Sequence, residues 1–134
     1  MATVAAATRT LRVGTYVINN DFRHPAVLAA DLATIDVLSE GRLEIGIGAG
    51  WNRSEYEQSG IPLDPVGVRI GRMEEAITVL KGLFAEGPFS SRGKHYTITG
   101  LIGLPKPVQK PHPPFPDSGA GRPVLTNSAR AADT

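Results

Sequence analysis

Three glycines at every second position follow a short apolar run, and these ten residues are the part of the chain best suited to hold a ligand. The stretch Arg42–Trp51 predicts a buried strand, because apolar residues alternate along it, and the glycines open its C-terminal end. A glycine has no Cβ, so a ligand can approach its backbone closely. Ligands of α/β proteins bind at the C-terminal ends of parallel strands, so we expect a site beside Gly46, Gly48 and Gly50.

A dinucleotide-binding turn is one interpretation of these glycines, because such a turn also follows a strand. The G-x-G-x-x-G pattern needs its third glycine at position 51 or 53, and these positions hold Trp51 and Arg53. A second strand that ends in Asp or Glu about 20 residues further on is not evident either. The sequence therefore argues against a Rossmann-type site, and a role of the glycines in close packing of strand against helix stays open.

A strand–helix–strand unit positions this stretch. Residues 11–18 are rich in β-branched and aromatic residues, which favour a strand, and the turn formers Asn19-Asn20-Asp21 end it. A helix is then expected to begin at Pro25 and to end before Gly41. Its apolar stripe would consist of Leu28, Leu32, Ile35 and Leu38.

A right-handed crossover would make the two strands parallel and adjacent, with their C-terminal ends side by side. Asn19-Asn20 and Gly46–Trp51 would then line the same rim. Arg42 opens the second strand, where it could pair with Asp36 on the helix before it.

The rest of the chain consists of shorter predicted elements. Residues 1–10 look like the end of a helix, and residues 11–87 form a strand–helix–strand–helix core, whose second helix shows an apolar repeat over 70–84. Residues 52–65 are expected to form a polar loop with room for one helical turn. Residues 88–134 would hold a hairpin over 89–98, an extended proline-rich segment over 104–115, a second glycine-rich turn at 119–121 and a weak helix over 124–132.

Composition narrows the function classes. The chain has 134 residues, a net charge of +1 and 20% charged residues, which gives no basis for binding nucleic acid or an acidic partner. The absence of cysteine excludes disulfides, thiolate metal sites and a cysteine nucleophile. No apolar run is long enough to span a membrane, and the first residues lack the pattern of a signal peptide, so we expect a soluble, cytoplasmic protein.

Some residues allow two interpretations. His24 could be a rim residue or a helix-start residue, and Trp51 could stack on a flat ligand or cap the core. The prolines over 105–115 could form a ligand for an SH3-like domain, but such segments are common spacers in folded enzymes, and we favour the spacer. The histidines His24, His95 and His112 lie far apart and show no metal-ligand spacing, so no metal site is predicted.

Two stretches resemble the luciferase-like flavin monooxygenase superfamily. Gly14–Pro25 is similar to the third strand of that family and its following turn, and Thr34–Trp51 is similar to the next helix and the fourth strand. The strings NNDFRHP at 19–25 and GAGWN at 48–52 point to the deazaflavin-dependent branch. Residues 69–84, 93–96 and 104–115 also follow in the order of the family, so the resemblance extends from Leu11 to Phe115.

The resemblance implies an α/β fold of the (β/α)8 TIM-barrel type. Such a barrel needs about 250 residues, so residues 1–134 would be a single partial domain, roughly strands three to five with their helices. Phe115-Pro116-Asp117-Ser118 interrupts the smooth apolar run that the family has at its fifth strand. A partial barrel exposes unpaired strand edges, so we also expect self-association as a homo-oligomer.

The resemblance further implies a redox enzyme that acts on a small organic substrate through a deazaflavin coenzyme or FMN, by hydride transfer or by oxygen insertion. Tyr16-Val17 matches the position of a non-prolyl cis peptide behind the flavin ring, and Asn19 matches a ring contact. Gly48, Gly50 and Trp51 match the rim beside the cofactor. Some relatives have a carboxylate base where Trp51 stands, so that role does not transfer, and no catalytic residue is assigned.

Two functional hypotheses follow. The first is part of a flavin- or deazaflavin-dependent oxidoreductase, and the second is a non-catalytic βαβ unit that binds no cofactor alone. A Rossmann-type nucleotide-binding module is the third and least supported. For the isolated chain we expect weak or absent activity.

Overall fold

The computed structural model describes residues 1–116, and helices and strands follow along them in the predicted order. The helices of this part of the chain are α1 (Ala2–Ala7), α2 (Pro25–Leu38), α3 (Arg53–Ser59) and α4 (Val66–Phe84), with a short 3₁₀ helix over Asn20–Phe22. The strands are β1 (Val13–Gly14), β2 (Ile18–Asn19), β3 (Leu43–Glu44), β4 (Ile47–Gly48), β5 (Phe89–Arg92) and β6 (Thr97–Leu101). The predicted turn at 119–121, the helix over 124–132 and the interruption at Asp117-Ser118 lie outside the described residues.

The strands β1 and β2 pair in parallel with β3 and β4, which confirms the predicted strand–helix–strand unit. Val13 lies opposite Leu43, and Ile18 lies opposite Ile47. Residues 15–17 connect β1 to β2, whereas only residues 45–46 connect β3 to β4. One strand thus has an extra residue, as in a β-bulge, and this is why the predicted continuous strand over 11–18 is divided into two short segments.

The core lies where α2 and α4 pack against each other and against the sheet. The predicted apolar repeat of α4 is largely buried, and Met73, Leu80 and Phe84 are each 1% exposed or less. Leu43 and Ile47 are fully buried below them. Full burial of side chains of this size contributes about 1.5–3 kcal/mol each, so this layer is the main source of stability.

The predicted apolar stripe of α2 is correct for Leu28 and Leu32 but wrong for Leu38, which is 58% exposed. The buried face of α2 continues at helical spacing from Leu32 to Asp36 and then to Ser39, the residue after the helix. Leu38 lies off this face because two residues beyond Asp36 correspond to a rotation of about 200° around the helix axis.

The predicted pair of Arg42 with Asp36 is wrong. The Arg42 guanidinium instead donates hydrogen bonds to the carbonyl oxygens of Ala5, Leu11 and Ser39, each at 2.7 Å. The Ala5 carbonyl belongs to the last turn of α1, where an α-helix leaves its acceptors unsatisfied and favours a cation. Arg42 therefore attaches α1 to the start of β3.

The predicted polar loop over 52–65 contains a complete short helix, α3. The Asn52 side chain accepts a hydrogen bond from the Ser54 N–H at 3.2 Å, and Gly60 ends the helix in the left-handed conformation at φ 70°. An N-cap and a C-terminal glycine are the usual boundaries of a helix, so this element could have been predicted.

The predicted hairpin is confirmed as the antiparallel pair β5 and β6. The carboxylate of Glu75 on α4 accepts hydrogen bonds from the backbone N–H groups of His95 and Tyr96, at 2.9 and 2.7 Å. The hairpin is thereby attached to the outer side of α4.

The proline-rich segment packs on the core through Pro107, Pro113 and Phe115 and also makes a few polar contacts. The Lys106 amine donates to the Leu83 carbonyl at 3.0 Å, at the C-terminal end of α4. The Ile45 N–H, in the gap between β3 and β4, donates to the Pro114 carbonyl at 2.9 Å. The segment therefore supplies an acceptor that the short strands do not. Among residues 1–116, no helix is both long and apolar enough to cross a membrane.

Candidate cofactor site

The C-terminal ends of β2 and β4 bring four of the six predicted site residues together. Asn19 lies opposite Gly48 in the parallel register. A Cβ on Gly48 would lie 2.8 Å from Val17 Cγ2, and a Cβ on Gly50 would lie 2.8 Å from the Asn19 side-chain amide. Val17, Asn19, Gly48 and Gly50 thus form one contiguous surface at this rim, as the crossover argument predicted.

The other two predicted residues, Tyr16 and Trp51, flank this surface with exposed aromatic rings. Tyr16 is 93% exposed and Trp51 is 83% exposed, so Trp51 does not cap the core. The peptide bond between Tyr16 and Val17 is cis, as the resemblance implied for this position.

Each glycine of the turn has a packing partner within the protein. A Cβ on Gly46 would overlap the Thr15 carbonyl oxygen, and one on Gly50 would overlap the Tyr56 hydroxyl. Gly50 also has a φ of 76°, which disfavours any residue with a side chain. The space that a Cβ would occupy at these glycines is therefore filled by a neighbouring strand and by α3, and not by a ligand.

The Asn19 side chain has one end bound to the protein and one end free. Its Oδ1 accepts a hydrogen bond from the Asp21 N–H at 3.0 Å. A backbone N–H can only donate, so this bond fixes which end of the amide is the oxygen. The Nδ2 group has no hydrogen-bond partner among residues 1–116 and remains available as a donor. Asn19 also lines a cleft of about 310 Å³ between β2 and α2.

Tyr56 of α3 is a site residue that the sequence analysis missed. Its side chain is fully buried, and its hydroxyl lies 3.1 Å from Asn19 Oδ1 and 3.0 Å from Asp21 Oδ2. Burial, together with the negative charge of Asp21, raises the pKa of the Tyr56 phenol above its ordinary value. Tyr56 is therefore a neutral hydrogen-bond donor near neutral pH.

Two arginines of α4 complete the polar layer under the rim, and both were also missed. Arg69, only 6% exposed, donates to the carbonyl oxygens of Ala49, at 3.3 Å, and Gly50. Arg72 bridges Asp21, at 2.9 Å, and Asp64. Arg69 stands four residues before Met73, so helical spacing places it on the buried face of α4, and this was the signal that could have identified it.

His24 takes a structural position. His24 is the N-cap of α2, and its Nδ1 accepts a hydrogen bond from the Ala26 N–H at 3.2 Å, which supports the helix-start interpretation. Within residues 1–116, no three His, Asp or Glu side chains are grouped so that they could hold a metal ion.

Comparison with known proteins identifies the family. A family model described as luciferase-like monooxygenase matches residues 1–134. The chain belongs to this family.

Its curated relatives include enzymes of both cofactor types. An FMNH(2)-dependent dimethylsulfone monooxygenase of Pseudomonas putida is 34% identical over 128 residues, which are 96% of this chain and 35% of that protein. An F420-dependent glucose-6-phosphate dehydrogenase of Amycolatopsis mediterranei is 32% identical over 136 residues, or 99% of this chain and 40% of that protein. This luciferase-like chain thus spans less than half the length of the relatives it matches.

Solved structures agree with this assignment. The monooxygenase RslO1 from Streptomyces bottropensis has a TM-score of 0.76 at 31% identity, over 84% of this chain and 33% of that one. An F420-dependent tetrahydromethanopterin reductase from Methanopyrus kandleri has a TM-score of 0.77 at 25% identity, over 85% of this chain and 36% of that one. The α/β fold of the luciferase-like family is therefore present in the described residues.

Proposed function

We propose that this chain forms one wall of the cofactor site of an oxidoreductase that uses FMN or the deazaflavin F420 and acts on a small organic substrate. The observation that supports this most directly is the Nδ2 group of Asn19, which has no hydrogen-bond partner among residues 1–116 and lies at the end of β2, two residues after the cis peptide bond. An exposed rim with one neutral donor and two flanking aromatic rings, Tyr16 and Trp51, fits a flat ring system that presents acceptor atoms.

The residues present fit such a ring in defined ways. Asn19 would donate a hydrogen bond to it, Val17 would lie behind it, and the Gly48–Gly50 backbone and Trp51 would border it. When bound, the cofactor supplies the redox chemistry, either hydride transfer or, with dioxygen, insertion of an oxygen atom. None of these protein groups is an acid or base that titrates near neutral pH, so their role is to bind and orient.

We further propose that residues beyond these 134 complete the site, as part of a (β/α)8 barrel. The relatives are longer than this chain by a factor of more than two. The proposed consequences are weak or absent turnover by the isolated chain and self-association that covers the outer edge of β1 and β2.

Trp51 is the only tryptophan of the chain and provides the test. Its emission is measured during titration with FMN, F420 or NAD, with free N-acetyltryptophanamide as the correction for absorbed light. Saturable quenching by FMN or F420 but not by NAD is the expected result, and Asn19→Ala should weaken it, whereas Gln58→Ala, at an exposed position of α3, should not.

Two outcomes would contradict the proposal. Quenching that fails to saturate with all three compounds would favour the non-catalytic βαβ unit. Tighter binding of NAD than of either flavin would favour a nucleotide-binding module.

A further inference from the structure

The Tyr56 hydroxyl connects the ends of both central strands. It lies 3.1 Å from Asn19 Oδ1, 3.0 Å from Asp21 Oδ2 and 3.4 Å from the Ala49 carbonyl oxygen. Asn19 ends β2 and Ala49 follows β4, whereas Tyr56 belongs to α3. One hydroxyl group therefore holds α3 against the ends of β2 and β4, where the cofactor site is proposed.

The hydroxyl has one proton and faces only acceptor atoms. The Ala49 carbonyl also accepts a hydrogen bond from Arg69, at 3.3 Å, so of the three acceptors it needs the Tyr56 proton least. Asn19 Oδ1 and Asp21 Oδ2 lie at nearly equal distances from the hydroxyl, so both are within reach of its one proton. Tyr56 is thus the second protein donor to Asn19 Oδ1, after the Asp21 N–H.

Two donors on Oδ1 leave the opposite end of the amide for a ligand. Rotation of the Asn19 amide by 180° would place Nδ2 against the Asp21 N–H and would lose that hydrogen bond. The Tyr56 hydroxyl would then have to accept from Nδ2 and turn its own proton away from Asn19. Gly50 leaves the room that this arrangement needs, because a Cβ at that position would overlap the Tyr56 hydroxyl.

We propose that Tyr56 is a positioning residue, whose hydroxyl holds the Asn19 amide with Oδ1 toward α3 and Nδ2 toward an acceptor atom of the bound cofactor ring. This inference rests on the proposed function. Tyr56 does not touch the cofactor and acts only through Asn19.

The first experiment uses the ligand-free chain, so its result does not depend on the proposed function. The side-chain NH₂ signals of Asn19 are followed by NMR in the wild type, in Tyr56→Phe and in the control Tyr96→Phe. The Tyr96 hydroxyl lies 3.4 Å from Asn20 Nδ2, so its loss should shift the signals of Asn20 and leave those of Asn19 unchanged. Tyr56→Phe should shift the Asn19 signals, and unchanged Asn19 signals in a folded Tyr56→Phe would overturn the proposal.

A measurement on the wild type decides the case if Tyr56→Phe does not fold. A slowly exchanging Tyr56 hydroxyl proton with nuclear Overhauser effects to the Asn19 side chain would support the proposal. A hydroxyl proton that exchanges freely with water would overturn it, because the bond to Asn19 would then not persist.

The second experiment tests whether Tyr56 acts through Asn19. Dissociation constants for FMN and for F420 are measured for Tyr56→Phe, Asn19→Ala and the double variant. The loss of one neutral hydrogen bond predicts binding weaker by about fivefold in Tyr56→Phe, with no further loss when Asn19→Ala is already present. Independent, additive losses would indicate a purely structural role and would overturn the proposal. A wild type that binds neither probe would refute the proposed function, while the ligand-free NMR result would still decide the orientation of Asn19.

Discussion

The carboxylate of Asp36 accepts two hydrogen bonds from Gln109, one from its backbone N–H at 3.0 Å and one from its side-chain Nε2 at 2.7 Å. Asp36 is fully buried, and no cation pairs with it among residues 1–116. The same Nε2 also donates to the Leu43 carbonyl at 2.8 Å. A buried negative charge on α2 is thus balanced by neutral donors from the proline-rich segment, which is thereby fixed to β3.

The substitution Gln109→Ala should lower the free energy of unfolding by about 2–3 kcal/mol, because the buried Asp36 carboxylate would lose a donor. Urea unfolding followed by circular dichroism measures the change. The control is Gln58→Ala at an exposed position, where a change within about 0.5 kcal/mol is expected. Equal effects of the two substitutions would show that the Asp36 contact does not matter for stability.

Gly50→Ala and Gly60→Ala separate backbone strain from steric overlap. Both glycines have a left-handed φ, 76° and 70°, but Gly60 has open space where a Cβ would lie, whereas Gly50 has the Tyr56 hydroxyl there. We expect Gly60→Ala to cost about 1–2 kcal/mol and Gly50→Ala to cost about 1–3 kcal/mol more. Unfolding midpoints in urea give the comparison, and equal losses would mean that Tyr56 can move aside freely.

The stability of the chain should fall in alkaline solution partly because of Tyr56. Burial raises the pKa of the Tyr56 phenol above its unfolded value of about 10, so the folded state holds this proton more tightly than the unfolded state. The stabilisation from Tyr56 is fully present below the unfolded pKa of about 10. It is lost as the pH rises through the pKa of the folded state.

Tyr56→Phe should therefore lose less free energy of unfolding than the wild type between pH 9 and 11. Part of the pH dependence should persist in this variant, because burial also raises the pKa of Tyr96. Tyr16→Phe is the control, since the Tyr16 side chain is exposed. Parallel stability curves for wild type and Tyr56→Phe would contradict this prediction.

Arg42→Ala should release α1 from the sheet. The guanidinium of Arg42 donates hydrogen bonds to the carbonyls of Ala5 and Leu11, so its loss should lower the free energy of unfolding by about 1–2 kcal/mol. It should also speed the hydrogen exchange of the Ala5 N–H, which donates to the Met1 carbonyl oxygen at 2.9 Å. Arg53→Ala is the control, because among residues 1–116 Arg53 pairs only with Glu57, at 3.8 Å and in an exposed position. Unchanged exchange at Ala5 in Arg42→Ala would show that other contacts hold α1.

The parts of the fold that depend on local sequence patterns were predictable. The apolar repeat of α4, the parallel pairing of the two central strands and the hairpin follow from spacing and turn residues. The cis bond at Tyr16–Val17 was implied by the resemblance to the family, since nothing in the local pattern distinguishes it. The assignment of the family itself rested on the residues around the rim, and the comparisons confirm it.

The contacts that depend on three-dimensional placement were not predictable. Asp36 and Gln109 are 73 positions apart, and a buried carboxylate can be satisfied by any donor that the fold brings near. Arg42 was expected to pair with Asp36 on the preceding helix, whereas backbone carbonyls compete equally well for a guanidinium. Tyr56 was overlooked because its neighbours in sequence are polar, although a helix of seven residues needs only one side chain to attach it to the protein.

The proline-rich segment should show an uneven tolerance to substitution, in contrast to a helix or strand of the same length. Lys106, Gln109 and Pro114 supply its polar contacts to the core, two through side chains and one through a carbonyl that every amino acid has. Its apolar contacts come from the buried Pro107 and Pro113 and from Phe115. Leu104, which precedes these residues, and Val108, which lies between two of them, are 66% and 54% exposed. A scan of all substitutions should therefore find isolated sensitive positions separated by permissive ones. The residues at the permissive positions can change while the segment keeps its place.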